Sequence, residues 1–188
     1  SKQIEQFNKD GYIIFPELFT SDEIDIFKNE VDRVSKIRSE MVVREGEDEA
    51  VKIMFQPHEE NVETASPPFR TAARSPRILR TAQQCLGDEE LYLHHSKLNM
   101  KSAIEGSAWP WHQDFHSWHL DGIKQPDMVT VTVVLTEASP INGCMYVLPG
   151  SHKQGRSDPR WDDSTAYKLW VARTPDMKEY MKKFPAPV

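Results

Sequence analysis

Ile24, Phe27, Val31 and Val34 recur at the three- and four-residue spacing of one helix face. Thr20-Ser21-Asp22-Glu23 precedes them with the spacing of a capping box, Thr20 to Glu23, and predicts an amphipathic helix running to about residue 37. Residues 4–8 read as a shorter helix that stops near Gly11. Tyr12-Ile13-Ile14-Phe15 is a β-branched and aromatic run closed by Pro16, the pattern of a strand. Residues 44–50 are charged and read as a solvated loop or turn. Ser75-Pro76 places a cap residue before proline at the first helical position. Gly87 supplies the stop, with Ile78, Leu79, Ala82 and Leu86 facing the core between them.

The pattern changes after residue 90. Residues 91–100 read as one long strand. Residues 128–135 alternate valine with threonine, as a half-buried strand does. Residues 143–148 form another, ended by the turn Pro149-Gly150-Ser151. Thr174-Pro175 opens a last helix through about residue 183. Helices first and antiparallel strands afterwards predict an α+β protein with a mainly β core, a sandwich or barrel.

A chain of 188 residues is expected to form a single domain over 1–188. Its net charge of −6 argues against a binder of phosphate backbones, so no nucleic-acid partner is expected. A small anion remains compatible, because a pocket needs only one or two local cations. Cys85 and Cys144 are not paired by spacing, which speaks against a disulfide scaffold or a cysteine-based zinc site; each reads as a buried apolar residue. The apolar stretch 128–135 is too short to span a membrane and is broken by Thr130 and Thr132. The first residues lack the apolar run of a signal peptide. The expected setting is cytoplasmic, without a membrane partner.

Candidate chemistry concentrates in Trp109-Pro110-Trp111-His112-Gln113-Asp114-Phe115-His116-Ser117-Trp118-His119. On a strand, residues two apart point the same way, so His112 and Asp114 would project into one space, as two ligands of one metal must. An imidazole with a carboxylate suits iron, manganese or zinc. Two histidines with one carboxylate, leaving open positions, is the arrangement of non-haem Fe(II) oxygenases. The surrounding tryptophans and Phe115 would keep such a site dry and limit side reactions. His-x-Asp by itself is a weak signal: the chain repeats it at His119 and Asp121 and carries a His-x-Glu at His58. Asp121-Gly122 reads better as a turn. His112, Asp114, His116 and His119 could also compose a local zinc site in a non-catalytic protein.

The wider sequence narrows these readings. Trp111-His112-Gln113-Asp114-Phe115, then Trp118-His119 and an Asp-Gly turn, resembles the ectoine hydroxylase-like branch of the phytanoyl-CoA dioxygenase family. So, in the same order, do the opening Phe7 to Pro16, the segment 92–101, and Asn142-Gly143 followed by Pro149-Gly150-Ser151-His152-Lys153. The resemblance covers nearly the whole chain. It implies a double-stranded β-helix, a cupin-like jelly roll with flanking N-terminal helices. It implies Fe(II) on His112 and Asp114, and 2-oxoglutarate near Asn99, Lys101, Trp109 and Thr130. It places His95 and Trp118 on the side of a small polar or amino-acid-like substrate that is hydroxylated with O₂. The branch has glutamine at the His95 position, so this histidine suggests a different substrate. A CoA thioester, as the family name suggests, is the further possibility. Asp114 favours hydroxylation over halogenation, which replaces the carboxylate with a small residue. His152 matches a structural histidine, not a ligand. The distal histidine ligand and the arginine for 2-oxoglutarate have no match here; Arg156, Arg160 and Arg173 fall in an expected loop-and-helix insert. The last strands of the β-helix are therefore expected to be lacking and the domain to be C-terminally incomplete. The alternative is a degenerate, non-catalytic β-helix metal-binding protein.

Overall fold

The computed structural model describes residues 1–102 and 106–188. The chain divides into two compact units. One comprises Phe15–Ser107 and Val129–Gly143, the other Ser1–Ile14, Ala108–Met128 and Cys144–Val188. They are called below the hairpin unit and the motif unit.

In the hairpin unit, helix α2 (Ser21–Ser35) begins at the capping box the sequence encodes. The Thr20 hydroxyl accepts from the Glu23 N–H, and the Glu23 carboxylate accepts from the Thr20 N–H at 2.8 Å. Strands β1 (Val42–Glu45) and β2 (Ala50–Phe55) form an antiparallel hairpin, and β3 (Lys97–Asn99) adds to its far side, giving the order β1-β2-β3. Ile53 faces Asn99 and Phe55 faces Lys97. Val34 of α2 packs with Val42 and Met54, and Val31, Ile37, Val51, Leu98 and Met100 surround them. Helices α3 (Pro67–Ala73) and α4 (Pro76–Leu86) complete the unit. Arg33 bridges Glu30 to the Ala65 carbonyl, and Ser66 donates to Glu30 at 2.6 Å, so charged residues of α2 hold the entry to α3.

In the motif unit, α1 (Lys2–Asp10) ends at Gly11, whose left-handed backbone (φ 82°) suits glycine. The Gly150 N–H donates to the Asp10 carbonyl at 2.7 Å, and His152 Nε2 lies 3.1 Å from the Asn8 carbonyl. Thus the Pro-Gly turn docks on the end of α1 and His152 has a structural role. Helix α5 (Phe115–Leu120), a 3₁₀ turn at Ser151–Gln154, the antiparallel pair β4 (Pro159–Asp162) and β5 (Leu169–Ala172), and α6 (Thr174–Lys183) follow.

Helices α1, α2, α4 and α6 lie where the periodicity places them, but the β reading needs correction. Tyr12-Ile13-Ile14-Phe15 is not a strand; Ile14 is exposed. Residues 128–135 and 143–148 form no regular strand either. Alternation describes a surface fit for a sheet, whereas a strand exists only with a hydrogen-bonded neighbour. Val147 alone pairs reciprocally with Val188, at 2.8 and 3.0 Å. Of residues 91–100, only Lys97–Asn99 are strand, because their ladder runs against the last residues of β2. Within the charged stretch 44–50, residues 46–49 are the turn of a hairpin, as expected, while Arg44, Glu45 and Ala50 belong to its strands. Strand β2 escaped the sequence reading because Lys52 interrupts its apolar run. The expected insert after the Pro-Gly turn contains the β4–β5 pair. The regular core of the described residues is therefore six α-helices with five short strands, less β-rich than expected. Cys85 and Cys144 are free and half-buried; burial pushes the Cys85 thiol up.

Candidate metal site

His112 and Asp114 lie on no strand. They occupy the irregular segment that leads into α5, with Asp114 as the residue capping that helix. A turn brings their side chains together: His112 Nε2 stands 3.2 Å from Asp114 Oδ1. The other ring nitrogen, Nδ1, is 2.7 Å from the Pro110 carbonyl. A carbonyl only accepts, so Nδ1 carries a proton, and in the neutral ring Nε2 then presents a lone pair. A lone pair facing a carboxylate oxygen needs a cation between them, a metal ion or an additional proton. Two ligands on bonds of about 2.1 Å at a right angle sit about 3.0 Å apart, so the observed separation fits neighbouring positions on one metal. The Pro110 contact is the kind of support that fixes a ligating histidine's tautomer and ring orientation. Both side chains are partly exposed, at 25% and 32%, and remain reachable.

The other two histidines of the segment do not join the pair. His116 is buried, with Nε2 3.1 Å from Ser157 Oγ. Burial, then the nearby Arg156, pushes its imidazole below the usual histidine range. His119 Nδ1 donates to the Ile123 carbonyl at 3.0 Å. Among the described residues no group of three histidine, cysteine or acidic side chains is placed to hold a metal. The four-residue zinc arrangement is therefore not formed.

Strands β4 and β5 bring further residues to this segment that the sequence reading did not single out. The Ala172 N–H donates to the Trp111 carbonyl at 2.8 Å, and the Tyr167 ring lies 5.3 Å from that of Trp109. Burial, then the fields of Asp114 and Asp121, pushes the Tyr167 hydroxyl up. No motif marks Tyr167; only the fold brings it here.

The remaining candidates divide between the units. Trp109 and Trp118 belong to the motif unit with His112 and Asp114; Asn99, Lys101, Thr130 and His95 belong to the hairpin unit. Asn99 ends β3 and is exposed, as is Thr130. Lys101 donates to the Gly143 carbonyl, which joins the strand-end lysine to the Asn142-Gly143 turn. The His95 ring lies 6.0 Å from that of Phe55.

The profile of the family "Phytanoyl-CoA dioxygenase (PhyH)" matches residues 7–188. The chain belongs to this family. It is 34% identical over 158 residues to the ectoine dioxygenase of Nocardia farcinica, covering 81% of this chain and 51% of the relative. It is 32% identical over 151 residues to the L-proline trans-4-hydroxylase of Streptomyces griseoviridis, covering 80% and 54%. EctD from S. alaskensis, solved with 2-oxoglutarate and 5-hydroxyectoine, superposes with a TM-score of 0.77 at 26% identity, over 98% of this chain and 61% of that one. The same enzyme with bound Fe gives 0.77 at 25% identity, over 98% and 62%. This member of the phytanoyl-CoA dioxygenase family thus has the fold of the corresponding part of EctD. It spans about half the length of the curated relatives it matches.

Proposed function

We propose that this chain is the iron-binding portion of an Fe(II)- and 2-oxoglutarate-dependent dioxygenase that hydroxylates a small polar or amino-acid-like substrate. The observation that carries this reading is the His112–Asp114 pair, with Nδ1 committed to Pro110 and Nε2 3.2 Å from the carboxylate. Its support is membership of the family and likeness to an ectoine dioxygenase, a proline hydroxylase and an EctD structure with bound Fe. Bound iron, with 2-oxoglutarate and O₂, supplies the oxidation of an unactivated C–H bond, chemistry beyond any side chain.

The residues of this chain bind and orient. His112 offers the Nε2 lone pair while Pro110 holds the proton on Nδ1. Asp114 offers one carboxylate oxygen beside it, and its presence favours hydroxylation over halogenation. Asn99, Lys101, Trp109 and Thr130 are assigned to 2-oxoglutarate: an amide, an ammonium, an indole N–H and a hydroxyl can each donate to its oxygens. His95 and Trp118 are assigned to the substrate, where an indole face suits a cationic group. Histidine in place of the branch's glutamine at position 95 points to a substrate other than ectoine. The third ligand and the arginine for 2-oxoglutarate are assigned to the part of the relatives' length that this chain does not span, which would also close the double-stranded β-helix around residues 1–188 as one domain. The setting in this reading is cytoplasmic; among the described residues no helix is long and apolar enough to cross a membrane.

Succinate release tests the reading. The chain, extended by the part of the relatives' length that it does not span, is incubated with Fe(II), 2-oxoglutarate and either ectoine or L-proline as a probe of the amino-acid-like class. Release that depends on 2-oxoglutarate, rises with an accepted probe and disappears in H112A and D114A is expected. Release unchanged in D114A would contradict it.

A further inference from the structure

We propose that Gln113, the residue between the two candidate ligands, is a positioning residue that sets their geometry through the segment 155–157. Its side-chain amide behaves like a paired peptide group. Nε2 donates to the Gly155 carbonyl at 2.9 Å; Oε1 accepts from the Ser157 N–H at 2.9 Å and from its hydroxyl at 3.2 Å. The strap is shaped to present these groups. Gly155 has φ 77° and ψ −167°, a backbone region essentially confined to glycine, while a Cβ there would meet nothing within 4 Å. The requirement at 155 is thus one of conformation and not of space, and it turns the 155 carbonyl and the 157 N–H toward one amide.

The same strap reaches a second residue of the segment. Ser157 Oγ is 3.1 Å from His116 Nε2, on the buried ring of the second residue of α5. On the other side of His112, the Trp111 carbonyl is taken by Ala172 of β5 at 2.8 Å. Residues 111 and 113 are therefore both anchored outward, to β5 and to the strap, and His112 and Asp114 are left facing each other. In an irregular segment the backbone of the pair has no ladder of its own to define it, so these side-chain and carbonyl anchors take that role. Ligand supports of this kind typically contribute 10- to 100-fold in metal affinity.

This inference rests on the reading of His112 and Asp114 as a metal pair, and the test separates the two. Co(II) is titrated into the metal-free full chain, with affinity and the visible ligand-field spectrum recorded for the native protein, Q113L and D114A. Far-UV circular dichroism of each metal-free form monitors folding. Q113L is expected to keep its secondary structure, bind Co(II) about 10- to 100-fold more weakly and show a shifted spectrum, which a merely structural role would not produce. D114A is expected to lose binding. If D114A binds as the native protein does, the metal pair is wrong and this inference falls with it. If D114A loses binding while Q113L matches the native affinity and spectrum, the role of Gln113 alone is overturned. Should Q113L not fold, S157A decides: it removes the hydroxyl contact and keeps the backbone N–H, so a smaller loss with a shifted spectrum supports the role and native values overturn it.

Discussion

Lys52 and Glu45 form an ion pair of 3.2 Å inside the hairpin unit, with side chains only 1% and 8% exposed. Ser107 completes it: its N–H donates to Glu45 Oε1 at 2.9 Å, and its hydroxyl touches both charged groups. Removing the ammonium leaves a buried carboxylate short of its counter-charge. K52M is expected to destabilise the protein by about 3–5 kcal/mol, whereas the E45L/K52M double variant loses much less, because an apolar pair leaves no stranded charge. Chemical denaturation of the two variants checks the contrast; equal losses would contradict it.

The same contacts predict a pH dependence. Burial works against the Glu45 carboxylate, but hydrogen bonds from Ser107 and then the Lys52 ammonium outweigh it and hold Glu45 below the usual carboxylate range. Arg77, then the Thr20 N–H, holds Glu23 down to about 2. A carboxylate whose folded value is depressed stabilises the fold above its unfolded value, about 4.3 for glutamate, and that contribution is lost as pH falls through the folded value. Denaturation midpoints are therefore expected to fall from about pH 4.5 downward, with a shallower fall in E23Q. The exposed Glu23 pair makes this difference small, and it shrinks further in high salt. Identical slopes would remove Glu23 from the account. T20A, which deletes the cap hydroxyl, should cost about 1 kcal/mol at neutral pH.

Gly11 sits against the imidazole of His152, and a Cβ there would overlap the ring. Its φ of 82° adds a second penalty for any side chain, about 1–2 kcal/mol for an L-residue in the left-handed region. G11A is expected to lower the thermal midpoint by several degrees, on the scale of roughly 2–4 °C per kcal/mol for a chain of this size. H152A added to G11A should restore part of the loss, because it relieves the overlap and leaves the backbone strain. No recovery in the double variant would show that the overlap costs nothing.

Helices were legible where local chemistry suffices. Thr20 with Glu23 marks a start through reciprocal hydrogen bonds, while Pro76, Gly87 and Pro175 mark starts and a stop through their backbone conformation. Strands were not, because Val131 or Tyr12 cannot show whether a ladder partner exists. Lys52 hid β2 for a related reason: its burial depends on Glu45 and on Ser107, 55 residues further on. At the candidate site, the proximity of His112 and Asp114 was readable from His112-Gln113-Asp114, although a turn and not a strand brings the two side chains together. The parts of its surroundings that come from the β4–β5 connection, β5 and the strap, namely Tyr167, Ala172 and Ser157, carry no local signature and depend on chain return. Gln113 stood inside the motif in plain view, but its role follows only from Gly155 and Ser157.

The central claim is that His112 and Asp114 together hold iron in a 2-oxoglutarate site. It is tested most directly by anaerobic titration with Fe(II) and 2-oxoglutarate of the chain extended by the part of the relatives' length that it does not span, following the visible metal-to-ligand charge-transfer band in this native protein and in its D114A variant. A band that requires both additions and is absent from D114A is the predicted result. A band of equal intensity in D114A, or none in the native protein, would contradict it.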